Sequence, residues 1–263
     1  MKKKIKVAIL GTGHIAEKFH IPAWIRNKDC EIVCLCDKNI SKLKKISKKF
    51  KIKKFYTDYK IMLKKEKIDV INISTPPNLH FQNILESLKK NINIFVEKPF
   101  VIHGSEFSKI KNYPKEKKNY IQCALHQRFR PISEAIKNSI RRNEIGKIYY
   151  VNILHRKFRN IPQQSFTFSN KKYSGGGPLI DLGSHYFDLV FWILNFPKIN
   201  KVNCTTNNII FSRKNMKKYL PFKKFSNEEA CFGNIILKNK SYINFEMNYA
   251  INTKAEDIKI EFF

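Results

Sequence analysis

Short apolar runs alternate with amphipathic stretches through the first half of the chain. Ile5–Leu10, Glu31–Cys36, Asp69–Ser74, Asn93–Glu97 and Asn119–Ala124 have strand length and are rich in β-branched residues. Between them, Ile15–Arg26, Ile40–Lys49, Tyr59–Lys65 and Leu79–Lys90 place their apolar residues at helical spacing. Strand and helix in turn predict βαβ units with right-handed crossovers and a mainly parallel sheet. The pattern changes after about Leu125. A helix over Ile132–Arg142 leads to a long strand from Lys147 to His155, then to a loop and an apolar helix over Leu179–Leu194. β-rich runs follow at 199–212, 230–238, 241–250 and 256–263, with hairpin-like spacing. Two domains are therefore expected: an α/β domain over 1–124, and an α+β domain over 125–263 with a mostly antiparallel sheet. The last run, Ile258 to Phe263, stops inside a strand pattern, so the second sheet is expected to be incomplete or to have its edge covered by a partner.

The Leu179–Leu194 segment is interrupted by Asp181, His185 and Asp188, at i, i+4 and i+7. On one helix these form a polar stripe, and burying such groups costs several kcal/mol unless they are paired or face a cavity. Gly175, Gly176 and Gly177 stand just before it and let backbone or ligand come close. The stripe is either a satisfied core cluster or the wall of a site.

Composition narrows the choice. A 263-residue chain with 43% hydrophobic and 13% aromatic residues can build a sizeable core and is not disordered. No run reaches the roughly 18 apolar residues of a membrane span. The N-terminal apolar run is too short for a signal-peptide core, so a cytoplasmic protein with no membrane partner is expected. The formal charge of +30 invites a nucleic-acid partner, but the lysines are spread along the whole chain. Their densest stretch, Lys42 to Lys54, alternates with Leu, Ile and Phe as a solvated helix face does, so no specific nucleic acid is expected. The six cysteines, at 30, 34, 36, 123, 204 and 231, lack paired CxxC spacing, and no metal site or disulfide is expected. Cys34 and Cys36 share one face of a strand and read as small core residues.

Gly11-Thr12-Gly13-His14-Ile15-Ala16 follows the first strand and opens a helix. Gly11 permits the tight turn, Gly13 lets a pyrophosphate approach the backbone, and Ala16 allows close helix–strand packing. Asp37 ends the second strand, 21 residues after Ala16, where a carboxylate binds the adenosine ribose diol. Together they predict a Rossmann domain that takes NAD or NADP. Asp37 favours NAD, because it repels a 2′-phosphate, while the adjacent Lys38 leaves NADP open. Ser74-Thr75-Pro76-Pro77-Asn78-Leu79-His80 and Glu97-Lys98-Pro99 close two further strands, at the sheet end where ligands bind. Pro99 disfavours helical backbone at Lys98, so the ammonium projects from a strand end. Tyr113-x-x-x-Lys117 has the spacing of a short-chain dehydrogenase pair, but Pro114 denies it the helix such a pair needs.

The chain resembles the Gfo/Idh/MocA oxidoreductases, relatives of glucose–fructose oxidoreductase and inositol dehydrogenase. The matches run in the family's order: Gly11-x-Gly13-x-x-Ala16, Thr75-Pro76-x-Asn78-x-His80, Glu97-Lys98-Pro99, Gln127-Arg128-Phe129-x-Pro131 and Gly175-Gly-Gly-x-x-x-Asp181-x-Gly183-x-His185. The segment before Gly175 lacks the Trp-Arg pair that many relatives carry. The resemblance implies hydride transfer between nicotinamide and a carbon of a sugar, sugar nucleotide or polyol. It makes Lys98, Asp181 and His185 catalytic: His185 as general base, Lys98 as holder of the reacting oxygen, Asp181 as partner of the substrate or of His185. Asp188 would be a structural partner. Gly11, Thr12, Gly13, His14, Ile15, Asp37, Thr75, Pro76, Asn78, His80, Glu97 and Arg128 would serve the cofactor, with Arg128 closing the pocket. A homo-oligomer through the second sheet is also implied. The alternative function is a dinucleotide-binding protein without turnover.

Overall fold

In the computed structural model, residues 3–113, 119–158, 166–213, 225–251, 253 and 255–263 are described. Lys117 of the Tyr113 pair lies outside them. The chain divides into two compact units, Met1–Ala124 and Leu125–Phe263. Among the described residues no helix is long and apolar enough to cross a membrane.

The first unit is a six-stranded parallel sheet in the order β3-β2-β1-β4-β5-β6. Its strands are β1 (Ile5–Leu10), β2 (Cys30–Cys36), β3 (Phe55–Tyr56), β4 (Val70–Ile73), β5 (Asn93–Val96) and β6 (Ile121–Cys123). The helices are α1 (Ile21–Arg26), α2 (Ile40–Phe50), α3 (Tyr59–Lys65), α4 (His80–Lys89) and α5 (Gly104–Lys111). Helices on a parallel sheet leave its strands dry on both faces, which is why β1 reads as a continuous apolar run: Val7, Ala8, Ile9 and Leu10 are all buried. Cys34 and Cys36 pack in the core beside Ala8, Ile71 and Ile94. α2 buries Leu43 and Ile46 while its lysines face water, with Asn39 accepting the Lys42 N–H at its start. β3 and α5 are additions to the sequence reading, and β6 is shorter than expected.

The expected helix Ile15–Arg26 is two pieces. A π-helical turn, Ala16–His20, runs directly into α1. Pro22 supplies the reason: it has no N–H to give the Lys18 carbonyl, so the α ladder cannot continue and the Ile21 N–H reaches back to Ala16. The widened turn carries His20 into the interior, where it is 8% exposed.

The second unit holds α6 (Pro131–Arg141), β7 (Tyr150–Arg156), α7 (Lys171–Ser174), α8 (Pro178–Asp181), α9 (Gly183–Ile193), β8 (Ile199–Asn207), β9 (Ala230–Leu237), β10 (Tyr242–Asn248) and β11 (Asp257–Phe262). Its five-stranded sheet has the order β11-β7-β10-β9-β8. All pairings are antiparallel except β10 with β7, so the sheet is mixed and mostly antiparallel. β11 forms one edge, paired with β7 from Asp257 to Phe262. The inner face carries Val151, Ile153, Cys231, Ile235, Ile243, Phe245 and Met247 against α9. Asn203, Asn234, Asn244, Asn152 and Glu261 stand in register across all five strands of the outer face. Three side-chain hydrogen bonds run along that row, Asn203 to Asn234, Asn244 to Asn152, and Asn152 to Glu261.

The single helix expected over Leu179–Leu194 is broken at Leu182. Gly183 sits at the break, and a Cβ there would stand 3.0 Å from the Phe187 ring and 3.3 Å from the Met247 sulfur. Those two side chains fill the space a Cβ would take. The members of the polar stripe lie in three different environments.

Candidate active site

At the carboxyl end of β1, Gly11 has φ +91°, and a Cβ on it would come 2.5 Å from the Ser74 carbonyl. Only glycine fits that turn. Thr12 is completely buried, and its N–H and hydroxyl both donate to Asp37 Oδ2, at 2.8 and 2.9 Å. Asp37 Oδ1 accepts the Asn39 N–H at 3.0 Å, so the carboxylate is fixed between the turn and the end of β2. A Cβ on Gly13 would meet nothing within 4 Å, so the space over the turn is open. Ala16 is fully buried under the helix start. His14 and Ile15 lie in the same turn, Ile15 being 37% exposed.

Beyond β4, the Ser74 hydroxyl donates to the Gly11 carbonyl at 2.8 Å, and Asn83 donates to Thr75 Oγ1 at 3.0 Å. Pro76 is exposed, and Asn78 Oδ1 is buried with no hydrogen-bond partner, an acceptor still to be satisfied. His80, expected to line the cofactor, is instead wholly buried. Its Nδ1 faces the Pro99 carbonyl at 2.8 Å and its Nε2 the Thr75 carbonyl at 2.9 Å, so the ring is wedged between two strand-end loops and the one N–H of the neutral imidazole donates to one of them. Both ring nitrogens are taken up inside the protein, which leaves it no edge for a ligand.

Lys98 follows β5 and is joined to Pro99 by a cis peptide bond. Glu97, also expected at the cofactor, points inward: its Oε1 lies 2.7 Å from His20 Nε2, and its Oε2 accepts the Lys98 N–H at 3.0 Å. Burial pushes this carboxyl up, but the His20 hydrogen bond and charge outweigh it and hold Glu97 below its ordinary value. His20 Nδ1 in turn meets Asn72 Oδ1 at 2.8 Å, which also takes the Trp24 indole N–H at 3.0 Å.

In the second unit, Asp181 Oδ2 accepts the hydroxyl of Tyr249 at 2.7 Å. Tyr249 is completely buried, and burial pushes its phenol well above the ordinary value, so it remains a donor. His185, four residues on, stacks edge-to-face on His126 with ring centroids 4.9 Å apart. Asp188 forks with Arg128, accepting its Nε–H at 2.7 Å and a terminal N–H besides, and the guanidinium lies 5.5 Å from the Phe196 ring centre. Arg128, expected to close the cofactor pocket, thus has two of its nitrogens bound to α9. Behind α9, Tyr186 meets His155 Nδ1 at 2.7 Å, and His155 Nε2 meets Glu256 at 2.9 Å. At the Gly175–Gly177 loop it is protein that comes close: the Gly177 N–H donates to Glu228 Oε1 at 2.7 Å, and a Cβ on it would overlap the Glu228 carbonyl.

Burial drives His80 and His155 below the ordinary histidine value of 6.5, and the His155 hydrogen bond drives Glu256 below its ordinary 4.5. For each group the folded state holds its proton less tightly than the unfolded chain. Stability from the histidines is therefore full above about pH 6.5 and declines as pH falls below it, with Glu256 adding to the loss below about 4.5. Thermal melts from pH 6.5 to 5 should show Tm depending less steeply on pH in His155→Gln than in wild type. A slope that His155→Gln leaves unchanged over that range would contradict this.

His20, His126, Tyr249 and Glu228 were not singled out from the sequence. Tyr249 lies 68 residues from Asp181 and His20 lies 77 from Glu97, and no local pattern marks such pairs. The Pro22 interruption of an otherwise helical run was the one available sign near His20.

Residues 5–125 match the model of an oxidoreductase family with an NAD-binding Rossmann fold, and residues 137–262 match that family's C-terminal alpha/beta domain. The chain is 25% identical over 256 residues to D-glucoside 3-dehydrogenase of Escherichia coli (strain K12), covering 97% of this chain and 73% of that one. It is 27% identical over 196 residues to scyllo-inositol 2-dehydrogenase (NAD(+)) of Bacillus subtilis (strain 168), covering 74% of this chain and 55% of that one. The fold is shared with GenD2 from gentamicin A biosynthesis, solved in complex with NAD, at a TM-score of 0.86 and 17% identity over 99% of this chain and 70% of that one. With both halves matched, the chain belongs to the Gfo/Idh/MocA family of NAD-binding oxidoreductases.

Proposed function

We propose that this oxidoreductase moves a hydride between a nicotinamide dinucleotide and a carbinol carbon of a sugar, sugar nucleotide or polyol, with NAD preferred over NADP. The observation that carries this is local to the first unit: Asp37, locked against the glycine turn, and Lys98, at the end of β5, stand at the carboxyl ends of strands in one parallel sheet. Relatives named for a glucoside and an inositol support the substrate class. When bound, the dinucleotide supplies the hydride acceptor. Gly11, Gly13, His14 and Ile15 receive its pyrophosphate, Thr12 holds Asp37 against that turn, and Thr75, Pro76 and Asn78 line its nicotinamide end. The Lys98 ammonium holds the substrate oxygen as negative charge develops on it, and His185 takes the hydroxyl proton. Asp181, fixed by Tyr249, accepts from a substrate hydroxyl. His80, Glu97 and Arg128 act through the side chains and loops they hold. A binding protein without turnover has no observation in its favour.

Asp37→Asn tests the cofactor assignment. The amide oxygen still accepts from Thr12, but the charge that repels a 2′-phosphate is gone. Fluorescence titration with NADH and NADPH should show the preference for NADH falling about 10- to 100-fold, a change of about 1.4–2.7 kcal/mol. An unchanged ratio would remove Asp37 from ribose recognition. Turnover is to be sought with NAD+ and NADP+ on methyl D-glucosides, scyllo-inositol and myo-inositol. Absence of oxidation of any of these, or of reduction of the matching ketones, would count against the substrate class.

A further inference from the structure

His20 has no place in the chemistry described above, yet it is buried among groups that leave it little freedom. It closes the π-helical turn behind the glycine-rich loop, and its ring packs edge-on against Phe95 with centroids 5.5 Å apart. Asn72 Oδ1 already accepts the Trp24 indole proton, and the Asn72 amide nitrogen points to Ser74 Oγ at 3.4 Å. That fixes the orientation of the amide, so His20 Nδ1 must donate to the same oxygen. With Nδ1 committed as a donor, the 2.7 Å contact between Nε2 and Glu97 Oε1 requires one proton between them, whichever atom it sits on. The other oxygen of Glu97 accepts the N–H of Lys98. Both oxygens are thus engaged, one by the helix that follows the glycine turn and the other by the Lys98 peptide. A carboxylate held this way transmits the position of its partner.

We propose that His20 is a positioning residue: with Asn72 and Glu97 it forms a buried, proton-bound relay that fixes the peptide of Lys98 and ties it to the turn that receives the cofactor. This rests on the role of Lys98 as the group that holds the reacting oxygen. Removing either member of the relay leaves the other buried without its partner. The Lys98 N–H then loses its fixed acceptor, and a catalytic group displaced by even about 1 Å loses rate on the order of 10²-fold. Binding of the dinucleotide should change little, because Gly11, Gly13 and the Asp37–Thr12 contacts lie outside the relay.

The experiment compares wild type, His20→Gln, Glu97→Gln, the double variant and Lys98→Met. In wild type, proton NMR should show a far-downfield imidazole resonance from the His20–Glu97 hydrogen bond, lost in Glu97→Gln. Its absence from folded wild type would overturn the relay. Hydrogen exchange at the Lys98 amide should speed up at least tenfold in each single variant, while the Ile71 amide in mid-β4 stays within twofold. NADH binding should remain within threefold. Turnover of methyl D-glucoside or scyllo-inositol should fall roughly 30- to 100-fold in kcat with little change in KM. The double variant should be no worse than the poorer single, as expected of residues that act as a unit. A folded His20→Gln with wild-type Lys98 exchange, or losses that multiply in the double variant, would sink the proposal. Lys98→Met separates it from the reading beneath: full turnover there would remove Lys98 from the chemistry, while Lys98 amide exchange in the relay variants would still decide whether His20 sets that peptide.

Discussion

His185→Asn is expected to lower kcat by about 10²- to 10⁴-fold while NADH binds as tightly as before. The side chain is half-buried on α9, in a helix already fixed from behind by the Tyr186–His155 contact and from its far turn by the fork between Asp188 and Arg128. Asparagine in place of histidine costs such a helix only a few tenths of a kcal/mol, so the loss should appear in rate and not in Tm. The proton lost by the substrate hydroxyl must go to a group that ionises near neutrality, and the imidazole is suited to that where an amide is not. With methyl D-glucoside or scyllo-inositol as substrate, the acid limb of the kcat/KM profile should disappear in the variant. Added imidazole should restore part of the rate. His126, 4.9 Å away between ring centroids, is the built-in control. If His126→Asn costs more than His185→Asn, the base is His126, and a full rate in His185→Asn would remove it from the mechanism.

What could be foreseen of this site follows from how far each signal reaches along the chain. The glycine turn, Asp37 and the strand ends at Thr75 and Lys98 are local features: a turn, a spacing, a proline after a lysine. The first sheet is built of strands joined in sequence by helices, so alternation alone gave its parallel character. The second sheet shows the limit. Strand positions were legible from the apolar runs, but the parallel pairing of β10 with β7 joins Tyr242 to Tyr150, and nothing in either run names the other as its partner. The same holds for Tyr249 with Asp181 and for His20 with Glu97. Gly183, at the break, packs against Met247 of another strand, a neighbour that no local pattern names. His80 and Glu97 were identified as members of the site from their motifs. Their inward direction depends on what stands behind them: Pro99 and Thr75 carbonyls for one, His20 for the other.

The glycines before α8 give the sharpest contrast between a local expectation and its tertiary cause, and a pair of substitutions reads it. Gly177→Ala should destabilise the protein by about 3 kcal/mol, at the upper end of overpacking changes. The added methyl would overlap the Glu228 carbonyl oxygen and stand 3.0 Å from the carbonyl carbon. The Glu228 backbone cannot step aside, because both neighbours are anchored. Asn227 is 1% exposed and donates to the Phe168 carbonyl at 2.6 Å. Glu229 is also 1% exposed, and its carboxylate accepts the backbone N–H groups of Ile209, Ile210 and Phe211. Relief must come from the other side, by moving α8 and with it Asp181, so catalysis should suffer along with stability. A fall in Tm of roughly 6–12 °C is expected, together with a lower kcat. Gly13→Ala should behave in the opposite way: its methyl meets no atom within 4 Å, so Tm should hold within about 2 °C while NADH affinity drops, because the space is kept for the cofactor. If Gly177→Ala melts within 2 °C of wild type, Glu228 does not set the glycine requirement. If Gly13→Ala binds NADH normally, the pyrophosphate lies elsewhere.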